Sequence, residues 1–214
     1  MGPGVDKLFL ELAGRPVVAH TWQRFNDVAD VAEIVLVVRA GQQPAFTALA
    51  RRYGFHKPFR LVAGGAERQD SVWHGLAALS PQTQIVAIQD AARPCTGAAL
   101  IRATIAAARE TGAAVAAQPV TDTIKESADG RLIDGTLDRR RLWAVQTPQT
   151  FQVDVIRRGL AEVRRRGLRV TDDTAACELI GQLVRLVAVP GANPKVTRPE
   201  DLPYVEQVLR QGGA

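Results

Sequence analysis

An aspartate and an arginine three residues apart, in Asp90-Ala91-Ala92-Arg93-Pro94, close the apolar run that ends at Ile88. At the end of a buried strand such a pair can face a metal-bound phosphate together with its counter-charge. The same five residues would equally serve as a turn closing a strand. Upstream, Gly64-Gly65-Ala66-Glu67-Arg68 follows an apolar stretch and opens a helical pattern, with Ser71 one turn further in. Amides at a helix start bind anions or the polar edge of a base, although a glycine-rich connector has the same composition. Lys195 stands in the loop Asn193 to Thr197, just before Pro199-Glu200-Asp201 opens the last helix, and Thr171-Asp172-Asp173 reads as an N-cap with an acidic first turn.

Elements that could position these residues alternate along the chain. Strands are expected at Glu33 to Val38, Arg60 to Ala63, Ile85 to Ile88, Ala113 to Ala117 and Val184 to Val189. Amphipathic helices are expected at Pro16 to Asn26, Pro44 to Tyr53, Glu67 to Leu79, Ala98 to Thr111 and Asp154 to Arg166. Nearly continuous apolar strands such as Ile34 to Val38 suit a sheet covered on both faces. The expected fold is therefore α/β, with a doubly wound, mostly parallel sheet and ligands at the strand C-termini. One stretch breaks the alternation. Thr121 to Lys125 and Leu132 to Gln146 read as two extended segments around Asp129-Gly130, giving a β-hairpin arm over about 121–146. Such an arm leaves Ile124, Leu132, Ile133 and Leu137 to be covered, by its own domain or by a second subunit; the second subunit is expected.

With 214 residues the chain suits one α/β domain burying roughly 70% of its unfolded surface. No apolar run nears the roughly 20 residues of a membrane span, no secretory signal opens the sequence, and Cys95 and Cys177 do not make a disulfide framework. A reducing cytoplasm is the expected location. The formal charge of +5 invites an anionic partner. Much of the excess lies in Arg157, Arg158, Arg164, Arg165 and Arg166, opposite Ile156, Leu160 and Val163 on one helix, and no aromatic residues interleave with these arginines to stack bases. This pattern reads as a solvated face and argues against nucleic acid, leaving a phosphorylated metabolite or no specific anion.

Taken in order, the motifs resemble the 2-C-methyl-D-erythritol 4-phosphate cytidylyltransferases. The resemblance runs through FLELAGRPV from Phe9, GGAERQDSV from Gly64, QDAARP from Gln89 and PVTDTIK from Pro119. It continues in TLDR from Thr136, LWAVQTPQTF from Leu142, TDD from Thr171 and NPKVTRPEDL from Asn193. It implies transfer of CMP from CTP to methylerythritol phosphate, with Mg²⁺ carried on the CTP phosphates near Asp90 rather than held by protein ligands. It further implies that Lys7 supports the transition state at the α-phosphate and that Gly64, Gly65 and Ser71 form the cytidine pocket. Asp90, Ala91 and Arg93 fall where nucleotide and acceptor meet, with Thr123, Arg139, Thr171 and Lys195 on the acceptor side. Arg139 is expected to cross from the partner of a homodimer joined through the arm. A ribitol 5-phosphate acceptor is the alternative within the same scaffold.

The sequence departs from the family at its start. Members begin with an apolar strand and a glycine-rich phosphate loop, whereas here the only comparable glycines are in Gly2-Pro3-Gly4, with no strand before them. The expectation is that the true start lies upstream, so that the chain beginning at Met1 binds CTP weakly; a degenerate homologue with little activity is the other reading. Asp6 and Leu8 beside Lys7, and Gln89 before Asp90, are also departures, and Asp6 is placed to draw the Lys7 ammonium from phosphate.

Overall fold

The computed structural model describes residues 6–211; Gly2-Pro3-Gly4 lies outside them. After a 3-10 turn at Lys7–Phe9, β1 (Glu11–Leu12) and β2 (Arg15–Pro16) form a tight hairpin leading into α1 (Val17–Asn26). Ala13 and Gly14 take φ of 47° and 77°, the positive pair that a two-residue hairpin turn requires. Strands and helices then alternate: β3 (Ile34–Val38), α2 (Gln43–Tyr53), β4 (Phe59–Ala63), α3 (Arg68–Ala77), β5 (Ile85–Ile88), α4 (Ala98–Thr111) and β6 (Ala113–Pro119). Every one of these lies within a residue or two of its expected place. The chain continues through β7 (Lys125–Glu126), β8 (Gly135–Thr136), β9 (Trp143–Gln152), α5 (Val153–Arg165), α6 (Asp173–Glu178), β10 (Arg185–Ala188) and α7 (Leu202–Gln211).

The principal sheet has the order β10-β6-β9-β5. β10 is parallel to β6, whereas β9 runs antiparallel to both β6 and β5, so three of its four strands share a direction. Helices cover both faces. On one side α5 lays Ile156, Leu160 and Val163 against Phe151 and Ala113; on the other, Ala107 and Ala108 of α4 meet Ala114 and Val187. Ile156, Leu160 and Val163 are each 1% exposed or less, and each contributes roughly 1.5–3 kcal/mol by leaving water. The arginines of α5 face outward. Arg165 and Arg166 pair with Glu162, and Arg164 lies over the Trp73 ring. Where α5 crosses α6 the backbones nearly touch, since a Cβ on Gly159 would sit 2.7 Å from the Ala176 carbonyl oxygen.

β3 and β4 form a separate parallel ladder. Ile34 of β3 and Ile85 of β5 share the cluster of Phe25, Val28, Ile101 and Ile105, and Glu33 holds Ser80 and Thr83 ahead of β5. No ladder joins β3 to β5 among the described residues, and both strands are only half-buried over most of their length.

The arm differs from its expected form. The extended stretch expected from Leu132 to Gln146 contains only a two-residue strand, a 3-10 turn at Arg139–Arg141, and then the start of β9. Trp143, Ala144 and Val145 pair with Pro119, Gln118 and Ala117 of β6, and the strand goes on into the middle of the sheet. Its buried residues there are Thr147, Pro148, Gln149, Thr150 and Phe151, of which the first four lack both the apolar run and the alternation that mark a strand. The Asp129-Gly130 turn is present: Asp129 Oδ1 accepts from the amides of Arg131 and Leu132, and Gly130 takes φ 70°. No helix among the described residues is long and apolar enough to cross a membrane.

Candidate active site

Asp90 lies two residues beyond β5, at the strand's C-terminal end, and its side chain is 19% exposed. One oxygen, Oδ2, receives both the Lys195 ammonium at 2.9 Å and Arg93 Nε at 3.3 Å. Burial would raise the carboxyl's pKa, but the Lys195 hydrogen bond and the fields of Lys195, Arg93 and Arg68 outweigh it and hold the group below the usual carboxylate value. It is therefore an anion at neutral pH, surrounded by cations. Arg93 is itself anchored by donating through Nη1 to the Asn193 carbonyl at 2.6 Å, and burial lowers its pKa. The Lys195 side chain, at 40% exposure, reaches solvent from the same cluster.

Asn193 joins this cluster to the sheet. Its amide nitrogen donates to Gln146 Oε1 at 3.1 Å and to the Thr147 carbonyl at 3.0 Å, and its Oδ1 accepts from the Thr96 hydroxyl at 3.0 Å. Thr147 in turn accepts from the Asp90 amide at 3.1 Å. Two residues on, past the point where the pairing of β9 with β6 shifts register, Gln149 accepts from the Asp173 amide and donates to Asp172 Oδ2. The polar residues that hid β9 from pattern reading are thus the ones fixing Asp90 and the start of α6. Beneath the loops, Leu12, Val17, Ala92, Val196 and Val205 form an apolar cluster, with Leu8 and Leu10 packed on it, which brings the Lys7, Asp90 and Lys195 segments together.

The glycine-rich connector serves its own turn first. Gly64 donates its N–H to the Val38 carbonyl and Gly65 donates to Ser71 Oγ, so both amides are committed within the chain. A Cβ on Gly65 would lie 2.3 Å from that of Asp70, and no side chain fits there. Lys7 is half-buried; Asp6 does not hold it, because the Asp6 carboxylate accepts from the Leu8 amide and from Gln42 instead. Ala91 gives its carbonyl to Thr21 Oγ1 at 2.8 Å. Thr171 is exposed, immediately before the α6 cap at Asp172. Thr123 and Arg139 are exposed on the arm, where Arg139 donates to the Thr121 carbonyl at 2.6 Å. Asp90, Ala91, Arg93 and Lys195 are therefore gathered at one place, while Thr123 and Arg139 lie on the arm. Asn193, Thr147 and Gln149 were not among the expected site residues, although all three stand in the motifs that carried the resemblance. A buried amide among charged neighbours leaves no mark in sequence beyond its polarity.

A family model described as 2-C-methyl-D-erythritol 4-phosphate cytidylyltransferase matches residues 1–211. The protein of that name from Pelotomaculum thermopropionicum is 41% identical over 215 residues, covering 99% of this chain and 90% of the relative. A crystal structure of 4-diphosphocytidyl-2C-methyl-D-erythritol synthase from Anaerococcus prevotii has a TM-score of 0.87 at 30% identity, covering 95% of this chain and 93% of that one. The 2-C-methyl-D-erythritol 4-phosphate cytidylyltransferase structure from Thermus thermophilus gives 0.81 at 32%, over 95% and 93%. With its fold and its whole described length matched, this chain belongs to the 2-C-methyl-D-erythritol 4-phosphate cytidylyltransferase family.

Proposed function

We propose that this protein transfers CMP from CTP to the phosphate of 2-C-methyl-D-erythritol 4-phosphate, releasing pyrophosphate and forming 4-diphosphocytidyl-2-C-methyl-D-erythritol. The observation that carries the reading is the Asp90 carboxylate held between Lys195 and Arg93 at the end of β5. An acceptor phosphate oxygen must attack the α-phosphorus while the bond to the β-phosphate breaks, and the two anions repel until cations hold them in line. Lys195 can pass from Asp90 to a phosphate with little movement. Arg93, anchored to Asn193 and Asp90, keeps the pocket's shape. With the Gly64 and Gly65 amides engaged within the chain, the carbonyls of this connector and the Ser71 hydroxyl would hold the cytidine, and Lys7 would meet the α-phosphate.

Mg²⁺ fits this site as a companion of the nucleotide. Among the described residues no three His, Cys, Asp or Glu side chains converge, and Asp90, the carboxylate at the cluster, is already engaged by two cations. A hard divalent ion bound mainly by phosphate oxygens and waters would neutralise the triphosphate, with Asp90 nearby. A homodimer joined through the arm and a cytoplasmic location belong to the same reading. Leu132 and Ile133 are 72% and 65% exposed and ask for cover, and a partner's arm would bring Thr123 and Arg139 to the acceptor.

Pyrophosphate release from CTP and Mg²⁺, with methylerythritol phosphate or ribitol 5-phosphate as acceptor, tests the proposal. Turnover with the first and not the second is expected; release with ribitol 5-phosphate alone would reassign the acceptor.

A further inference from the structure

Arg68, in the first turn of α3, donates through Nη2 to Asp173 Oδ2 at 2.5 Å, across 105 residues of sequence. The Asp173 side chain has no exposed surface, whereas that of Arg68 is 41% exposed. The ion pair is therefore one-sided, rooted in the protein and open at the cationic end. Asp173 is itself fixed: its amide donates to Gln149 Oε1 at 3.0 Å, and Asp172 caps α6. The first turn of α3 is bound to this segment at further points. Arg169 pairs with Glu67 at 2.6 Å, Gln69 Nε2 donates to the Leu168 carbonyl, and Gln69 Oε1 accepts from the Val170 amide. The Asp173 end of the pair is tied to the same strand as the cluster at β5, since Gln149 holds the Asp173 amide and Thr147 the Asp90 amide. The Arg68 charge is one of those that favour the Asp90 anion, after Lys195 and Arg93.

A buried carboxylate is costly unless a counter-charge and hydrogen bonds compensate it. Asp173 keeps one oxygen, Oδ1, buried and without a hydrogen-bond partner among the described residues, so Arg68 is the one side chain that compensates its charge. A guanidinium held at one nitrogen by a fixed anion retains its remaining N–H groups in a set plane, the geometry that phosphate recognition uses. We propose that Asp173 is a positioning residue that orients Arg68 so that its outward N–H groups bind the phosphate anions gathered at Asp90, making Arg68 a further substrate-binding cation. The proposal rests on the cytidylyl-transfer reading for the identity of those anions. It also links two loops. α3 begins at the Gly64 to Ser71 connector and α6 follows Thr171, so the pair ties the proposed nucleotide side to the acceptor side.

The test is a double-mutant cycle in the full chain with Arg68→Gln, Asp173→Asn and both together. It is read as kcat/KM for transfer, as calorimetric affinity for CTP with Mg²⁺, and as melting temperature. Each single variant is expected to lower kcat/KM about tenfold or more, and the double variant to be no worse than the poorer single one, because each change removes the same oriented contact. Arg68→Lys, which keeps the charge and loses the fork, should fall between Arg68→Gln and the wild type. Arg68→Gln with wild-type kcat/KM and CTP affinity, or single effects that simply add, would overturn the proposal. A lower melting temperature with unchanged affinities would make the pair purely structural. If Asp173→Asn does not fold, the comparison of Gln and Lys at position 68 still decides. Should the wild type transfer no cytidylyl group, the functional reading falls, and the cycle in CTP affinity continues to judge the pair.

Discussion

Asn193 and Leu132 both lie outside helices and strands, yet they inhabit opposite kinds of structure. Asn193 is 3% exposed and spends its side-chain carbonyl and its amide nitrogen on Thr96, Gln146 and Thr147, while Arg93 takes its backbone carbonyl. Leu132 is 72% exposed, on an arm whose own ladder is two residue pairs long. The strand-end cluster is determined from within the chain, each polar group answering another. The arm is held by local bonds at Asp129, at Lys125 with Thr136 and at Arg139 with Thr121, and its apolar side chains answer to nothing described. The comparison teaches that the strand-end half of the proposed site is pre-formed by a single chain, whereas Thr123 and Arg139 stand exposed on the arm, where the proposed dimer would place them.

The hardest blow to the pre-formed half is Asp90→Ala, which leaves Lys195 and Arg93 with no shared anion. Transfer should fall by at least about 10²-fold, the scale of removing one preorganised electrostatic contact; initial rates at saturating CTP within tenfold of wild type would sink the assignment. Next is Lys195→Ala. Acceptor KM should rise by about tenfold or more with CTP affinity nearly unchanged, since the proposal gives the lysine to the acceptor phosphate. Loss of calorimetric CTP binding with acceptor KM intact would reverse the two substrates.

The arm is probed by complementation. Arg139→Ala subunits mixed with Lys7→Ala subunits should regain part of the lost activity, because some mixed dimers contain one site with both residues intact. Mixtures that exchange subunits and gain nothing would place Arg139 in its own chain's site. Leu132→Asp with Ile133→Asp should shift the protein toward monomer in sedimentation and leave the monomer's stability within about 0.5 kcal/mol. An unchanged mass would show that the arm is not the joint.

The smallest effect expected is on acid stability. Asp90 sits below the usual carboxylate pKa despite its burial, because Lys195, Arg93 and Arg68 favour the anion. A lowered folded-state pKa stabilises above the ordinary value and is lost as pH falls through the folded one. Asp90→Asn should therefore flatten the decline in melting temperature below about pH 4. Asp173, raised chiefly by burial, has the opposite sign: its contribution is full below the ordinary value and declines as pH rises through the folded one. Identical acid profiles for wild type and Asp90→Asn would remove the first of these.

Much of the scaffold was legible because its elements obey simple periods. Ile85–Ile88 and Ala98–Thr111 were placed to the residue, the helix closing at Gly112 with φ 86°. β9 was not legible in the same way. Proline in a sheet is confined to edges and bulges, and Pro148 sits where the pairing of β9 with β6 shifts register, beside Thr147 and Gln149, which fasten the neighbouring loops. In the site, charge drew attention to Asp90, Arg93 and Lys195, while the uncharged residues that align them were passed over. The arm's turn was announced by Asp129-Gly130, but the strand lengths around it were not, because exposed apolar residues such as Leu132 mimic a strand pattern without a sheet to receive them.

The contact between Gly159 and Ala176 gives the smallest side chain in the protein a long reach. α6 rests on α5 at a separation that only hydrogen permits, and the same short helix begins with Asp173 and follows Thr171. A single methyl group added there, on the helix that shares α6's side of the sheet, would lift α6 as a lever and swing its first turn away from β9. The specification of the anion-binding mouth thus extends to a position that carries no charge, no polarity and no view of the substrate, and that a search for functional groups would pass by.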